Sequence, residues 1–204
     1  MRTEPARQLE PFAAVPRELL VEVYGPLFGA IGRLSLSAPV RLSDFVNERE
    51  GFLRLTDVEF LPDGDLAPSQ LNSGSTYLIN KTGIELICQP SDATVERRAD
   101  DDADNGKSLW TAFGKLALNA SSDLHVPKER RYVQLHTHRF TVSAYLHMVQ
   151  GADVEAMLSH MPTKFVPLTV ATARFLDPKT EPGTIERKLM LVNRDHILLI
   201  AVDG

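Results

Sequence analysis

One pattern of apolar and polar positions occurs twice along this chain, 113 residues apart. Residues 78–87 read Leu-Ile-Asn-Lys-Thr-Gly-Ile-Glu-Leu-Ile, and residues 191–200 read Leu-Val-Asn-Arg-Asp-His-Ile-Leu-Leu-Ile. In both copies an apolar pair meets Asn80 or Asn193, followed by a basic residue and two positions that tolerate turns. Aliphatic runs interrupted by Asn-led polar residues are typical of β-hairpins. The pattern therefore predicts strand, tight turn and strand at both places, with Asn80 and Asn193 as the structural turn residues.

The repeat extends upstream of each Asn at a constant spacing. Phe52 begins one apolar run and Phe165 begins its counterpart, each 28 positions before its Asn. Further upstream, residues 41–47 and 153–159 carry apolar side chains at i, i+3 and i+4, the spacing of a one-sided helix. Two β-rich runs precede each helix. Each half therefore reads strand, strand, short helix, strand, strand, strand. The expected fold is mainly β with short helices (α+β), built as two tandem small β-domains related by internal duplication and similar to small barrels.

These motifs resemble a known family. The Arg-Leu-Ser-Asp-Phe-x-Asn segment, the Phe-x-x-Leu-Thr strand and the Asn-basic-x-x-Ile turn are similar to those of DUF6812, a small bacterial domain of unknown function. The resemblance covers residues 19–90 and 131–202, implies a compact, mostly β domain and brings no catalytic residues. In the second copy Asp-Val-Glu-Ala replaces Arg-Leu-Ser-Asp. Arg41 and Asp44 are therefore candidate ligand contacts that the second copy has lost or changed.

Composition shifts divide the chain into four segments. Residues 1–18 form an extended, proline-containing lead-in, and residues 19–90 form the first β repeat. Residues 91–130 combine an acidic linker with an amphipathic helix at about 108–118, whose apolar face is expected to dock on a repeat or between the two. Residues 131–204 form the second β repeat. Because each repeat is small, the two are expected to pack against each other.

Charge and composition exclude several classes of function. The net charge of −5 gives no global attraction to nucleic acid or to anionic membranes. No apolar run is long enough for a membrane span, and the beginning of the chain lacks the apolar core of a signal peptide, so a cytoplasmic protein is expected. The single cysteine, Cys88, cannot form an intramolecular disulfide and is interpreted as a buried small apolar residue.

Histidines provide the one dense set of metal-capable side chains. His136 and His138 are two residues apart, so both would project from the same face of a strand, and His147 would reach them from the next strand. Three imidazoles on neighbouring strands would leave the open position that catalytic zinc needs. Solvent-facing histidines without a metal are the alternative. No phosphate-binding glycine loop, paired cysteines or zinc-protease helix accompanies them.

The leading functional hypothesis is a non-enzymatic protein-binding or assembly module without a cofactor. A duplicated domain with open strand edges is suited to pairing with a protein partner or with further copies of itself. The alternative is a small-barrel regulator that binds RNA or a small ligand on its loop edge, although the linear sequence lacks a basic and aromatic surface for nucleic acid. A metal-dependent enzyme at His136, His138 and His147 ranks last.

Overall fold

Ten strands form one antiparallel sheet in the computed structural model, which describes residues 16–36, 40–48, 51–62, 74–90, 127–177 and 183–202. The first half contains β1 (Arg17–Tyr24), β2 (Gly29–Leu36), α1 (Leu42–Glu48), β3 (Phe52–Phe60), β4 (Tyr77–Asn80), a 3₁₀ turn (Lys81–Gly83) and β5 (Leu86–Cys88). The second half contains β6 (Lys128–His136), β7 (Phe140–Val149), α2 (Val154–His160), β8 (Phe165–Phe175), β9 (Thr184–Asn193), a 3₁₀ turn (Arg194–His196) and β10 (Leu199–Val202). The mainly β class with short helices is confirmed for the described residues, which contain two such helices.

The two halves arrange their strands in the same order. The sheet runs β10-β6-β7-β8-β9-β5-β1-β2-β3-β4, so each half contributes five consecutive strands. The halves join where β5 pairs with β9. Among the described strands, β4 and β10 end the sheet, which is therefore open and not a closed barrel.

The expected hairpins around Asn80 and Asn193 are wrong. β4 pairs with β3, whereas β5 pairs with β1 and β9. β9 likewise pairs with β8 and β5, whereas β10 pairs with β6. Each Asn begins a 3₁₀ turn that carries the chain to the far side of its own half. The apolar runs on both sides of each turn are strands, but the two strands that flank a turn do not pair with each other.

A bulge recurs at the same place in both halves. The pairing of β2 with β3 and the pairing of β7 with β8 each shift register once. Asp57 in β3 has φ 51° and Val170 in β8 has φ 50°, both left-handed, and they are 113 positions apart. An extra residue in one strand bends it and increases the local twist. The bulges thus curve the sheet at equivalent points.

Two hydrophobic clusters form the core, and each takes side chains from both halves. The cluster centred on the second half includes Tyr24 and Leu86 from the first. The cluster centred on the first half includes Phe165 and Leu191 from the second. The halves therefore share their cores instead of packing as two closed domains.

Parts of the predicted organisation lie outside the described residues. These are most of the N-terminal lead-in, the acidic linker, the helix expected near 108–118 and much of the long loops in both halves. Within the part of the chain that the structure describes, no helix is long and apolar enough to cross a membrane.

Candidate functional site

The contact between the halves, here called the seam, is built on the ladder between β5 and β9. Leu86 faces Val192, Ile87 faces Leu191, and Cys88 faces Met190. All six side chains are fully buried. Aliphatic pairs at such positions stabilise a sheet through cross-strand packing. The seam is therefore a dry β interface between two segments that are distant in sequence.

Asn193 bridges the seam at the 3₁₀ turns. Its side-chain oxygen accepts a hydrogen bond from the Asp195 amide at 3.1 Å, which caps its own turn. Its side-chain amide donates to the carbonyls of Lys81 at 3.2 Å and Ile84 at 2.8 Å in the other turn. Asn80 caps its own turn in the same way, accepting from the Thr82 amide at 3.0 Å, but its side chain is exposed. Asn193 is completely buried.

The basic residue after each Asn supports the helix of its own half. The Lys81 ammonium donates to the Val46 carbonyl in α1 at 2.7 Å. The Arg194 guanidinium donates to the carbonyls of Leu158 and Met161 at the end of α2. Carbonyls at a helix C-terminus lack helical partners and attract cations. In each half, therefore, the Asn side chain caps a 3₁₀ turn, and the basic side chain that follows it caps the C-terminus of a helix.

Polar contacts reinforce the seam on both sides of the ladder. In α1, Asn47 exchanges two hydrogen bonds of 2.9 Å with the backbone of Phe165 at the start of β8. The Arg187 guanidinium donates to both carboxylate oxygens of Glu22 at 2.8 Å. Cys88 lies beside this pair and donates its thiol to Glu22 at 3.1 Å. Burial, together with the Glu22 charge, raises the pKa of the Cys88 thiol well above its ordinary value. The cysteine is therefore a buried, protonated side chain.

The two end strands expose the counterparts of the seam residues. Leu199 and Ile200 in β10 correspond to Leu86 and Ile87, and they are 66% and 37% exposed. Leu78 in β4, the counterpart of Leu191, is 64% exposed. Phe52, which corresponds to the buried Phe165, is 61% exposed. These four residues are thus apolar and exposed, whereas their counterparts at or beside the seam are buried.

The three histidines named as a metal set are not brought together. In the β6–β7 ladder His136 pairs with Thr141, whereas His147 pairs with Arg130 near the other end of β6. A ring nitrogen of each histidine lies against a threonine hydroxyl, His136 on Thr141 at 3.2 Å and His147 on Thr169 at 2.8 Å. His138 lies beyond the end of β6, in the bend before β7, so the alternation expected of a strand does not apply to it.

A different trio converges at the seam. Among the described residues, Glu85, His138 and His196 each offer one ligand atom, and these atoms lie within 4.8 Å of one another. Glu85 lies between the first 3₁₀ turn and β5 and is fully buried. Sequence reasoning missed this group because its members are separated by more than 50 residues and meet only where the two halves pack together. A charged residue inside the apolar run at 84–88 was the available signal.

Arg41 and Asp44, the candidate ligand contacts, lie at the start of α1. Both are half-buried, and Asp44 is in the first helical turn, where a negative charge interacts favourably with the helix dipole. In the second half Asp153 caps α2 by accepting from the Ala156 amide at 2.9 Å. A ligand role for Arg41 and Asp44 stays a prediction.

Comparison of the chain with models of protein families, with curated proteins and with solved structures finds no match. The resemblance of both halves to DUF6812 therefore stays a prediction from their motifs. Any functional conclusion depends on the geometry of the chain itself.

Proposed function

We propose that this protein is a non-enzymatic assembly module, in which β4 of one chain pairs with β10 of the next. The observation that carries the proposal is that Leu78, Leu199 and Ile200, which are exposed on these strands, are the sequence counterparts of residues buried at the seam. Exposed apolar strand edges pair readily with other strands. A second copy of this chain is the partner that offers both complementary edges.

The seam supplies the register of the proposed contact. If β10 pairs with β4 of the next chain as β5 pairs with β9 within a chain, each ladder residue is replaced by its counterpart in the other half. Leu199 then lies opposite Ile79, Ile200 opposite Leu78, and Ala201 opposite Tyr77. Asn80 is the counterpart of Asn193, so in the contact between chains its side-chain amide takes the role that Asn193 has at the seam. It would donate to the carbonyls of Arg194 and Ile197 in the neighbouring chain.

The contact is heterologous, because one chain uses β4 and the next uses β10. Heterologous contacts form closed rings when the rotation between copies closes, and filaments when it does not. Internal duplication, which the equal element order and the equal bulges support, would explain why a contact within the chain matches a contact between chains. The chain would then be a covalently linked pair of assembly units.

Light scattering coupled to size-exclusion chromatography, over a range of concentrations, tests this function. The expected mass is a multiple of the 22.6 kDa chain. A monomer at every concentration up to the solubility limit would contradict the proposal.

A charge exchange tests the register. Leu78→Glu and Ile200→Lys should each reduce assembly, because a charge on one edge would be buried without a partner. Combining them places opposite charges face to face, so the double variant should recover part of the assembly. Leu176→Lys, a change at a residue that is 50% exposed outside both end strands, is the matched control and should assemble normally. A double variant that assembles no better than either single variant would refute the register.

A further inference from the structure

The Glu85 carboxylate is fully buried, yet within the described part of the chain only one of its two oxygens has hydrogen-bond partners. Oε2 accepts from the Thr137 hydroxyl at 2.6 Å and from the Arg139 amide at 3.3 Å. Oε1 is buried and has no hydrogen-bond partner among the described residues. Nδ1 of His138 lies 3.6 Å from Oε1, which is too far for a good hydrogen bond. Leaving a buried carboxylate oxygen unpaired is costly, so this oxygen requires a positive partner.

Two imidazoles lie beside the Glu85 carboxylate, and one ring nitrogen of each is within 4.8 Å of a carboxylate oxygen. The rings of His138 and His196 lie edge to face, with centroids 5.8 Å apart. Nε2 of His196 lies 2.6 Å from the Thr82 carbonyl, which can only accept, so Nε2 carries a proton, and in the neutral ring Nδ1 then offers the lone pair. Histidines that bind metals commonly donate their other ring nitrogen to a backbone carbonyl in this way, which fixes the ring and the tautomer.

We propose that Glu85, His138 and His196 form a zinc-binding site across the seam. Glu85 comes from the first half and both histidines come from the second. Imidazole and carboxylate ligands suit Zn²⁺, and three protein ligands leave a fourth position for water. His138 is 54% exposed in the bend before β7, so its ring is accessible from solvent and free to rotate toward the ion.

The ligand spacing is compatible with one ion after a small adjustment. Ligand atoms about 2.0–2.1 Å from a shared tetrahedral zinc lie about 3.3 Å from one another. The three atoms are already within 4.8 Å, and Oε1 and Nδ1 of His138 are 3.6 Å apart. Thr137 and Arg139 hold the Glu85 carboxylate, and Thr82 holds His196, so the exposed His138 ring is the part that moves.

The site belongs to the seam within the chain and is independent of the proposed assembly. The counterpart of Glu85 in the second half is Leu198, which is 55% exposed and has no ligand atom. A contact between β4 and β10 would therefore create no second site. One zinc ion per chain is the expected stoichiometry, whether or not chains assemble.

Isothermal titration of tag-free, chelator-treated protein with zinc chloride tests the site. Wild type should bind one zinc per chain, with a rise in melting temperature. His138→Ala and His196→Ala should each weaken zinc binding by at least about 100-fold. Even the loss of a residue that only holds a metal ligand in place lowers metal affinity by about 10–100-fold. His160→Ala is the matched control, since His160 is exposed on α2 and its Nδ1 lies on the Ala156 carbonyl of the same helix. This control should bind like wild type.

Two results would overturn the site. One is wild-type protein that does not bind zinc, and the other is His138→Ala and His196→Ala protein that binds zinc as tightly as wild type. The melting temperatures of the metal-free variants show that they fold, and the half-exposed His138 makes His138→Ala the safer of the two. Light scattering on the same samples distinguishes failure of the zinc site from failure of the assembly proposal, because loss of zinc binding should leave the mass of the assembly unchanged.

Discussion

Equivalent residues of the two halves share a strained backbone but differ in how well they tolerate it. Asp57 and Val170 both adopt left-handed φ values at the bulges. Asp accepts this region at modest cost because its side chain bonds locally, whereas a β-branched residue clashes with its own backbone. Val170 is also 65% exposed, so little packing offsets the strain. The second bulge is therefore the less stable of the two.

We expect Val170→Gly to stabilise the protein by about 1 kcal/mol, the size of the strain that a left-handed β-branched residue carries. Urea unfolding would measure the change in the free energy of unfolding. Val170→Ala retains a Cβ atom in the same backbone conformation and should gain less. Equal gains in the two variants would show that loss of side-chain bulk, and not backbone strain, is responsible.

At the scale of elements, the sequence predicts where strands and helices lie better than it predicts which strands pair. The predicted order of strand, strand, helix, strand, strand, strand is present in both halves, because alternating and one-sided apolar patterns are local signals. The pairing of β5 with β9 joins segments about 100 residues apart, and no local pattern encodes it. For this reason Asn80 and Asn193 were identified as turn residues while the hairpins were wrong. The same contact brings Glu85 to His138 and His196.

The two 3₁₀ turns should respond differently to loss of their Asn. Asn193→Ala removes the turn cap and leaves the buried carbonyls of Lys81 and Ile84 without this donor, so we expect a loss of about 3 kcal/mol. Asn80→Ala removes only an exposed cap and should cost about 1 kcal/mol. Urea unfolding of both variants at low concentration, where chains are separate, measures the difference. Equal losses would contradict the bridging role of Asn193.

For the whole molecule, shared cores couple the halves, so protonation of a group in one half affects the stability of the entire fold. His147 lies half-buried on β7, where desolvation, with smaller contributions from the charges of Arg130 and Lys128, lowers its pKa from the ordinary value of 6.5. Its ring therefore remains neutral in the folded protein at pH values where the unfolded chain is already protonated.

Stability should consequently decline as the pH falls. Above pH 6.5 His147 is neutral in both states, and its contribution is fully present. As the pH falls below that value, the unfolded chain binds the proton first, so the free energy of unfolding decreases until the folded pKa is passed. His147→Gln should have a shallower decline below pH 6.5. Chemical unfolding at several pH values tests this, and parallel curves for the two proteins would contradict it.

Leu198 in the second half occupies the position that Glu85 has in the first, and this difference limits the symmetry of any ring of these chains. Contacts within a chain, which contain the buried Glu85, would alternate with contacts between chains, where Leu198 takes its place. The number of halves in the ring would then always be even, and the exact rotational order would equal half that number. A low-resolution image would show twice the true symmetry, and the alternating side chains and covalent links would reveal the difference.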